Sequence, residues 1–154
     1  MEIERKWLAG TLPDEVARGA GTRIEQGYLT AGADGPEVRI RRRAGDSSLT
    51  VKGAGELART EVELPLSDHQ FEALWPLTEG RRVLKTRILA PIARGLTAEV
   101  DVYEDRELVV VEVEFAGVEQ AGEFAAPDWF GREVTGDAAY KNRSLARIGG
   151  APTS

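Results

Sequence analysis

Short runs in this chain alternate charged and apolar residues with a strict period of two, and like charges sit two positions apart within a run. A period of two places successive side chains on opposite faces of a strand. The runs are Glu2 to Trp7, Gln26 to Thr30, Glu37 to Arg42, Ser48 to Lys52, Arg59 to Leu64, Arg82 to Ile88, Thr97 to Tyr103 and Leu108 to Phe115. Gly and Pro cluster in the connectors between them, at Gly32 to Pro36, Gly53 to Gly55, Gly80, Pro91, Gly95, Pro127 and Gly131. Many connectors are of hairpin length, so the pattern predicts about eight mostly antiparallel strands. Three further segments read as helical. Ser67 to Gln70 has the form of a capping box, followed by Phe71, Leu74 and Trp75 at helical spacing and stopped by Pro76. Val118 to Phe124 and about Asp137 to Ile148 are the others. Many strands with a few appended helices imply a mainly β, α+β or closed-barrel architecture. The expectation is a single domain over residues 1–148, with a disordered tail at 149–154.

An antiparallel sheet with one wet face also alternates apolar and polar residues, and any single run here fits that reading. The runs together fit it less well. One face gathers eight acids (Glu2, Glu4, Glu61, Glu63, Glu99, Asp101, Glu112, Glu114) and seven bases (Lys6, Arg39, Arg41, Lys52, Arg59, Lys85, Arg87). It holds four acid-x-acid and two base-x-base pairs, each within one run. Like charges this close repel, so the face needs organising ligands: divalent cations for the acids and a polyanion for the bases. Hard Mg²⁺ or Mn²⁺ takes carboxylate oxygens and keeps waters, and Arg forks suit phosphate oxygens. Both together are what phosphoryl transfer to water requires. No Gly-rich phosphate loop is present, so side chains would do the holding.

Composition narrows the rest. The absence of cysteine excludes a thiol nucleophile and a zinc–thiolate site, and a single histidine, His69, argues against a Ser-His-Asp relay. A net charge of −6 disfavours nucleic-acid binding. No apolar run approaches the length of a membrane span. The start Met-Glu-Ile-Glu-Arg-Lys has acids where a signal peptide needs a basic start, so a cytoplasmic location is expected. His69 reads as a surface residue, and Trp75 and Trp129 as packing anchors. Gln26 and Tyr28 read equally well as inward hydrogen-bonding residues or as ordinary strand formers. Alternation turns Arg41 inward and Arg42 outward. Asn142-Arg143-Ser144 matches a glycosylation sequon by chance.

Glu2-Ile-Glu-Arg-Lys6 resembles the E-x-E-x-K signature of the CYTH superfamily, the triphosphate tunnel metalloenzymes. The later order is similar too: Gln26-Gly-Tyr28, Arg39-Ile-Arg41, Lys52, Arg59 to Glu63, Lys85-Thr-Arg87, Glu99-Val-Asp101, Glu112-Val-Glu114, and Val134 to Asp137 through Tyr140 and Asn142 to Leu145. The chain looks most like short bacterial members that hydrolyse inorganic tripolyphosphate. The resemblance implies an eight-stranded antiparallel barrel, its charged face turned inward as a tunnel and helices covering the apolar outer face. It implies Mg²⁺ or Mn²⁺, two ions in the proposed mechanism. Glu2, Glu4, Glu112 and Glu114 would be metal ligands, with Glu61, Glu63, Glu99 and Asp101 as further ligands or as holders of waters and bases. Arg39, Arg41, Lys52, Lys85, Arg87 and Arg59 would grip a triphosphate, with Lys6 near the phosphate chain. Lys6, Lys85 and Glu114 would serve catalysis. Thiamine triphosphatase, adenylate cyclase and a non-catalytic polyphosphate- or nucleotide-binding module are alternatives. The resemblance allows a homodimer.

Overall fold

Each strand hydrogen-bonds to two antiparallel neighbours around most of this molecule, so the sheet has almost no free edge. The computed structural model describes residues 1–30, 35–55 and 57–148. The expected tail over 149–154 and part of the connector at Gly32 to Pro36 lie outside the described residues. Nine strands form one sheet: β1 (Glu2–Leu8), β2 (Gly21–Tyr28), β3 (Glu37–Arg43), β4 (Asp46–Lys52), β5 (Ala58–Arg59), β6 (Glu61–Leu66), β7 (Arg82–Pro91), β8 (Thr97–Tyr103) and β9 (Val109–Glu114). The spatial order is β5-β1-β9-β8-β7-β2-β3-β4-β6. Its two outermost members, β5 and β6, are consecutive in the chain. The run expected from Arg59 to Leu64 therefore supplies two strands, which makes nine rather than eight. It divides at Thr60, whose carbonyl accepts from the Gly53 N–H at 2.8 Å. Before the break the chain pairs with β1 (Glu2 opposite Arg59), and after it with β4 (Lys52 opposite Glu61). That change of partner closes the barrel.

Local chemistry explains the other boundaries. The β3–β4 hairpin turns on Ala44 and Gly45, with φ of 52° and 84°; two left-handed residues suit the twist of a tight hairpin. β2 begins at Gly21, earlier than Gln26, because its outer residues Gly21, Arg23, Glu25 and Gly27 offer no apolar stripe to read. Gly27 is needed there, since a Cβ would lie 2.5 Å from Thr78 Oγ1. Of the helices, α1 (Asp14–Ala17) was not anticipated, whereas α2 (Asp68–Leu74) carries the expected capping box at Ser67 and Gln70. After α3 (Val118–Glu123), the segment expected as one helix from Asp137 is divided. A 3₁₀ turn (Ala138–Tyr140) ends at an extended Lys141, and α4 (Asn142–Ile148) follows. The Tyr140 carbonyl accepts from Lys6 Nζ at 3.2 Å, which ties the turn to β1.

The larger core lies outside the barrel. Ile3, Trp7, Ile88, Val100, Val111, Val113 and Phe115 project outward under Val16, Ala121, Phe124 and Phe130. Trp75 stacks on Phe71 at 5.2 Å and Trp129 meets Phe130 edge-on at 4.6 Å, so both tryptophans are packing residues. His69 is exposed. The cover is incomplete: Val62 and Leu64 on the outside of β6 remain 51% and 52% exposed. No described helix is long and apolar enough to cross a membrane.

A second core fills one end of the barrel. Leu8, Tyr28, Val83, Tyr103 and Val110 each lie two residues from an inward charged or polar side chain and therefore face inward. They enclose Leu145 and Ala146 of α4. Leu145 is fully buried, so α4 is a plug. Leu145→Ala should destabilise the protein by about 2–5 kcal/mol in urea unfolding, the usual range for a buried Leu truncation.

Candidate active site in a barrel closed at one end

The strand register lines the barrel interior with charge. Glu4 faces Glu114 and Lys6 faces Glu112 across β1 and β9, and Glu99 faces Glu112 across β8 and β9. Arg87 faces Asp101, Arg41 faces Gln26, Arg39 faces Tyr28, and Lys52 faces Glu61. These side chains surround a cavity of about 170 Å³ lined by Glu2, Glu4, Lys6, Tyr28, Glu37, Arg39, Arg41, Arg43, Lys52, Arg59, Glu61, Glu63, Arg87, Glu99, Glu112, Glu114, Lys141 and Asn142. Away from the plug, Arg41, Arg43 and Glu63 also line an outer groove of about 600 Å³. That groove makes the open end.

Of the residues expected in the site, Lys85 and Asp101 are not brought to the cavity wall. Both are fully buried, joined by an ion pair of 2.7 Å that lacks hydrogen-bond alignment at Lys85 Nζ. Arg87 bridges from them to the lumen: its Nε and Nη2 donate to the two Asp101 oxygens at 2.7 and 2.9 Å, and Nη1 donates to Glu99 at 2.9 Å. Burial lowers Lys85 to about 8, with the Asp101 charge opposing the shift. Burial works against the charge on Asp101 too, but Lys85 and Arg87 outweigh it and hold Asp101 below its usual value.

The bases fall into two sets. Lys52 contacts Glu2 at 3.0 Å, Arg59 contacts Glu2 at 3.4 Å and Glu4 at 3.7 Å, and Lys6 lies 3.8 Å from Glu112. Among the described residues, by contrast, no carboxylate is within ion-pair distance of Arg39, Arg41 or Arg43. These three follow one another along β3 on one face, about 7 Å per step. Arg41 is held by Gln26, its Nε donating to Oε1 at 3.2 Å, while Gln26 Nε2 donates to the Tyr28 hydroxyl at 2.6 Å. Gln26 and Tyr28 are thus inward hydrogen-bonding residues. The buried Arg39 Nε has no hydrogen-bond partner among the described residues. Burial, then the charges of Arg39 and Arg87, lowers Arg41 to about 10. Arg42 turns outward as expected, to Glu72 at 2.7 Å and Glu25 at 3.3 Å.

The acids, in contrast, meet each other. Burial and then the charge and hydrogen bond of Glu112 push Glu4 up to about 8. Its partner Glu112 stays well below the ordinary range, because Lys6, Arg87 and Lys85 outweigh burial. The hydrogen bond that Glu61 donates to Glu2, followed by burial, pushes Glu61 up to about 7. Glu2 falls to about 2, burial being outweighed by Glu61, Lys52 and Arg59. Each pair thus shares a proton.

Four lining residues are not among those the sequence puts in the site. Lys141 and Asn142 come from the turn before α4 and its first residue, where no alternation marks an inward side chain. Glu37 and Arg43 extend the β3 alternation and could have been found by continuing it one step each way.

A closed antiparallel barrel with acids on one wall and free guanidinium groups on another is the architecture of a triphosphate tunnel. Comparison with known proteins agrees. No family model matches the chain. An inorganic triphosphatase of Nitrosomonas europaea is 45% identical over 147 residues, covering 94% of this chain and 96% of that protein. An inorganic triphosphatase of Acetivibrio thermocellus is 32% identical over 158 residues, covering 95% and 93%. A crystal structure of an inorganic triphosphatase superposes with a TM-score of 0.71 at 42% identity, covering 96% of this chain and 95% of that one. The chain belongs to the CYTH superfamily of triphosphate tunnel metalloenzymes, together with these inorganic triphosphatases.

The shared protons have a measurable consequence. Glu4 and Glu61 bind protons more tightly folded than unfolded. Their contribution to stability is full below the unfolded carboxylate value near 4.5 and is lost as pH rises through about 7 to 8. In chelator, the melting temperature should fall between pH 6 and 9. Glu4→Gln, which mimics the protonated acid, should flatten that fall. An equally steep fall in the variant would remove Glu4 from the explanation.

Proposed function

We propose that this protein hydrolyses inorganic triphosphate to diphosphate and phosphate, using a divalent metal ion. The observation that supports this best is the row Arg39, Arg41 and Arg43. Among the described residues its members face the lumen with no acid at ion-pair distance, only Arg39 feeling the charges of Glu37 and Glu61 from further off, while half-buried Glu2, Glu4 and Glu61 and buried Glu112 stand close enough to share protons. An interior built for stability alone would pair those bases with those acids. The arrangement instead leaves donors for a polyanion beside oxygens for a cation.

The donor set fits a hard divalent ion. Glu2, Glu4, Glu112 and Glu114 would hold it, with Glu61 and Glu63 nearby, and the repulsion that now traps protons would be relieved. Among the described residues no three acids converge as a finished cage. That suits Mg²⁺ or Mn²⁺, which retain waters and accept phosphate oxygens. Such an ion supplies Lewis acidity and a bound water of lowered pKa.

The chain's own residues do the rest. Arg39 and Arg41 clamp non-bridging oxygens and keep the phosphate chain in line along β3. Lys6, Lys52, Arg59 and Arg87 surround the remaining oxygens and stabilise charge that grows on the leaving diphosphate. Asp101 and Glu99 serve as holders of Arg87 rather than as ligands, and buried Lys85 fixes Asp101 in turn. Glu114, exposed at the rim and opposite Glu4 in register, is placed to orient water. The cysteine-free chain fits work in the cytoplasm.

Phosphate release from tripolyphosphate, thiamine triphosphate and ATP, with Mg²⁺, Mn²⁺ or chelator, tests the reading. Metal-dependent release fastest on tripolyphosphate is expected. Arg41→Ala should lower kcat/KM by about 10²-fold or more, the scale of losing a preorganised charge-stabilising donor. Glu114→Ala should remove most activity without changing the melting temperature. Tight binding of tripolyphosphate with no release would make the protein a binding module instead.

A further inference from the structure

The closed end of the lumen carries two polar side chains from outside the strands, Lys141 and Asn142. Asn142 is fixed from behind. Its Oδ1 accepts from the Tyr103 hydroxyl, whose ring is buried in the plug core. The ring has Lys85 Nζ 5.7 Å and the Arg106 guanidinium 5.4 Å from its centre. Arg106 also fastens α4 itself, Nη1 donating to the Leu145 carbonyl at 2.6 Å. Burial, then the charges of Asp101 and Glu112, raise the Tyr103 phenol well above its ordinary value, so it remains a donor. With its oxygen occupied, Asn142 has its Nδ2 left over, and that amide has no partner among the described residues.

Resting on the triphosphatase reading, we infer that Asn142 is a substrate-binding donor at the closed end of the lumen, where its amide N–H bonds the innermost phosphate, and that Tyr103 is the positioning residue that keeps this amide turned to donate. The opposite turn of the amide would present Oδ1 to the phosphate and repel it. In that turn the phenol would accept from Nδ2 and its own O–H would lose its acceptor among the described residues, so the hydrogen bond favours the productive orientation. A neutral donor at this spot holds a phosphate oxygen without adding to the crowd of cations around it.

The test measures tripolyphosphate KM and kcat, with melting temperatures, for wild type, Asn142→Ala, Asn142→Asp, Tyr103→Phe and the Tyr103→Phe, Asn142→Ala double variant. A hydrogen bond to a charged group corresponds to about 10-fold or more in affinity. Asn142→Ala should raise KM by about that factor and leave kcat far less changed. Isosteric Asn142→Asp, which keeps the shape and reverses the polarity, should raise KM further. Tyr103→Phe should raise KM about 2-fold, as the amide divides between two orientations, and should have no further effect in the Asn142→Ala background. A KM within 2-fold of wild type in folded Asn142→Ala or Asn142→Asp overturns the binding role. A Tyr103→Phe effect of equal size in both backgrounds overturns the positioning role. Either result with an active wild type leaves the triphosphatase reading standing, whereas a wild type that neither binds nor hydrolyses tripolyphosphate overturns that reading first.

Discussion

Asp101 holds two cations at once in the middle of the barrel, and the rest of the lumen depends on that arrangement. A buried carboxylate without a partner is destabilising by several kcal/mol. Here both oxygens are taken by Arg87, and Lys85 adds an ion pair at 2.7 Å. The grouping carries a net positive charge, which helps keep Glu112 ionised although it is buried. Glu112 in turn forces the proton onto Glu4. Lys6 and this buried triad together thus hold Glu112 ionised, and with burial that puts the proton on Glu4. The triad also fixes Arg87 so that one guanidinium nitrogen reaches Glu99 at the cavity wall.

Closure of the sheet is what makes so charged an interior tolerable. The chain breaks at Thr60, and β5 and β6 take partners on opposite sides, so the lumen is walled by strands throughout. The apolar faces are then free to build a core outside, against α1, α3 and the segment carrying Phe124 and Phe130. The fold is inverted relative to an ordinary barrel, with one exception that shows the rule. At the closed end the inward positions become Leu8, Tyr28, Val83, Tyr103 and Val110, and α4 supplies Leu145 and Ala146 to meet them. The same strands therefore switch from a polar to an apolar interior along their length, and the switch decides which end of the tunnel is open.

Much of this was legible because alternation is a local property. Arg39, Arg41, Glu112 and Glu114 declare their common face by spacing alone, and the cavity-lining set is largely the set of charges read from that face. What spacing cannot carry is depth. Lys85 and Arg87 look equivalent in sequence, yet one is sealed beneath the wall and the other lines it, because the plug reaches the level of Lys85. The first half of β2 is not legible for a related reason: its outer face carries Gly, Arg and Glu, so the pattern that marks other strands is missing. The inward position of Asn142 and Lys141 is not legible from spacing, although Asn142 belongs to the family pattern, since only the docking of α4 turns them toward the lumen.

The remaining conflict lies between stability and chemistry. Real proteins break local rules of charge pairing at functional sites and compensate elsewhere. Here the violation has a definite layout: three guanidinium groups on β3 with no acid at ion-pair distance among the described residues, and acids against acids between β1, β6 and β9. Neither half would persist in a marginal scaffold, because each repels itself. Gln26 and Tyr28 tie down Arg41 without neutralising it, and shared protons hold Glu2 to Glu61 and Glu4 to Glu112 without cancelling their capacity to bind a cation. The compensation on each wall is neutral and reversible, a hydrogen bond on one side and a proton on the other. Under the proposed triphosphatase reading, a polyanion would replace the first and a divalent cation the second.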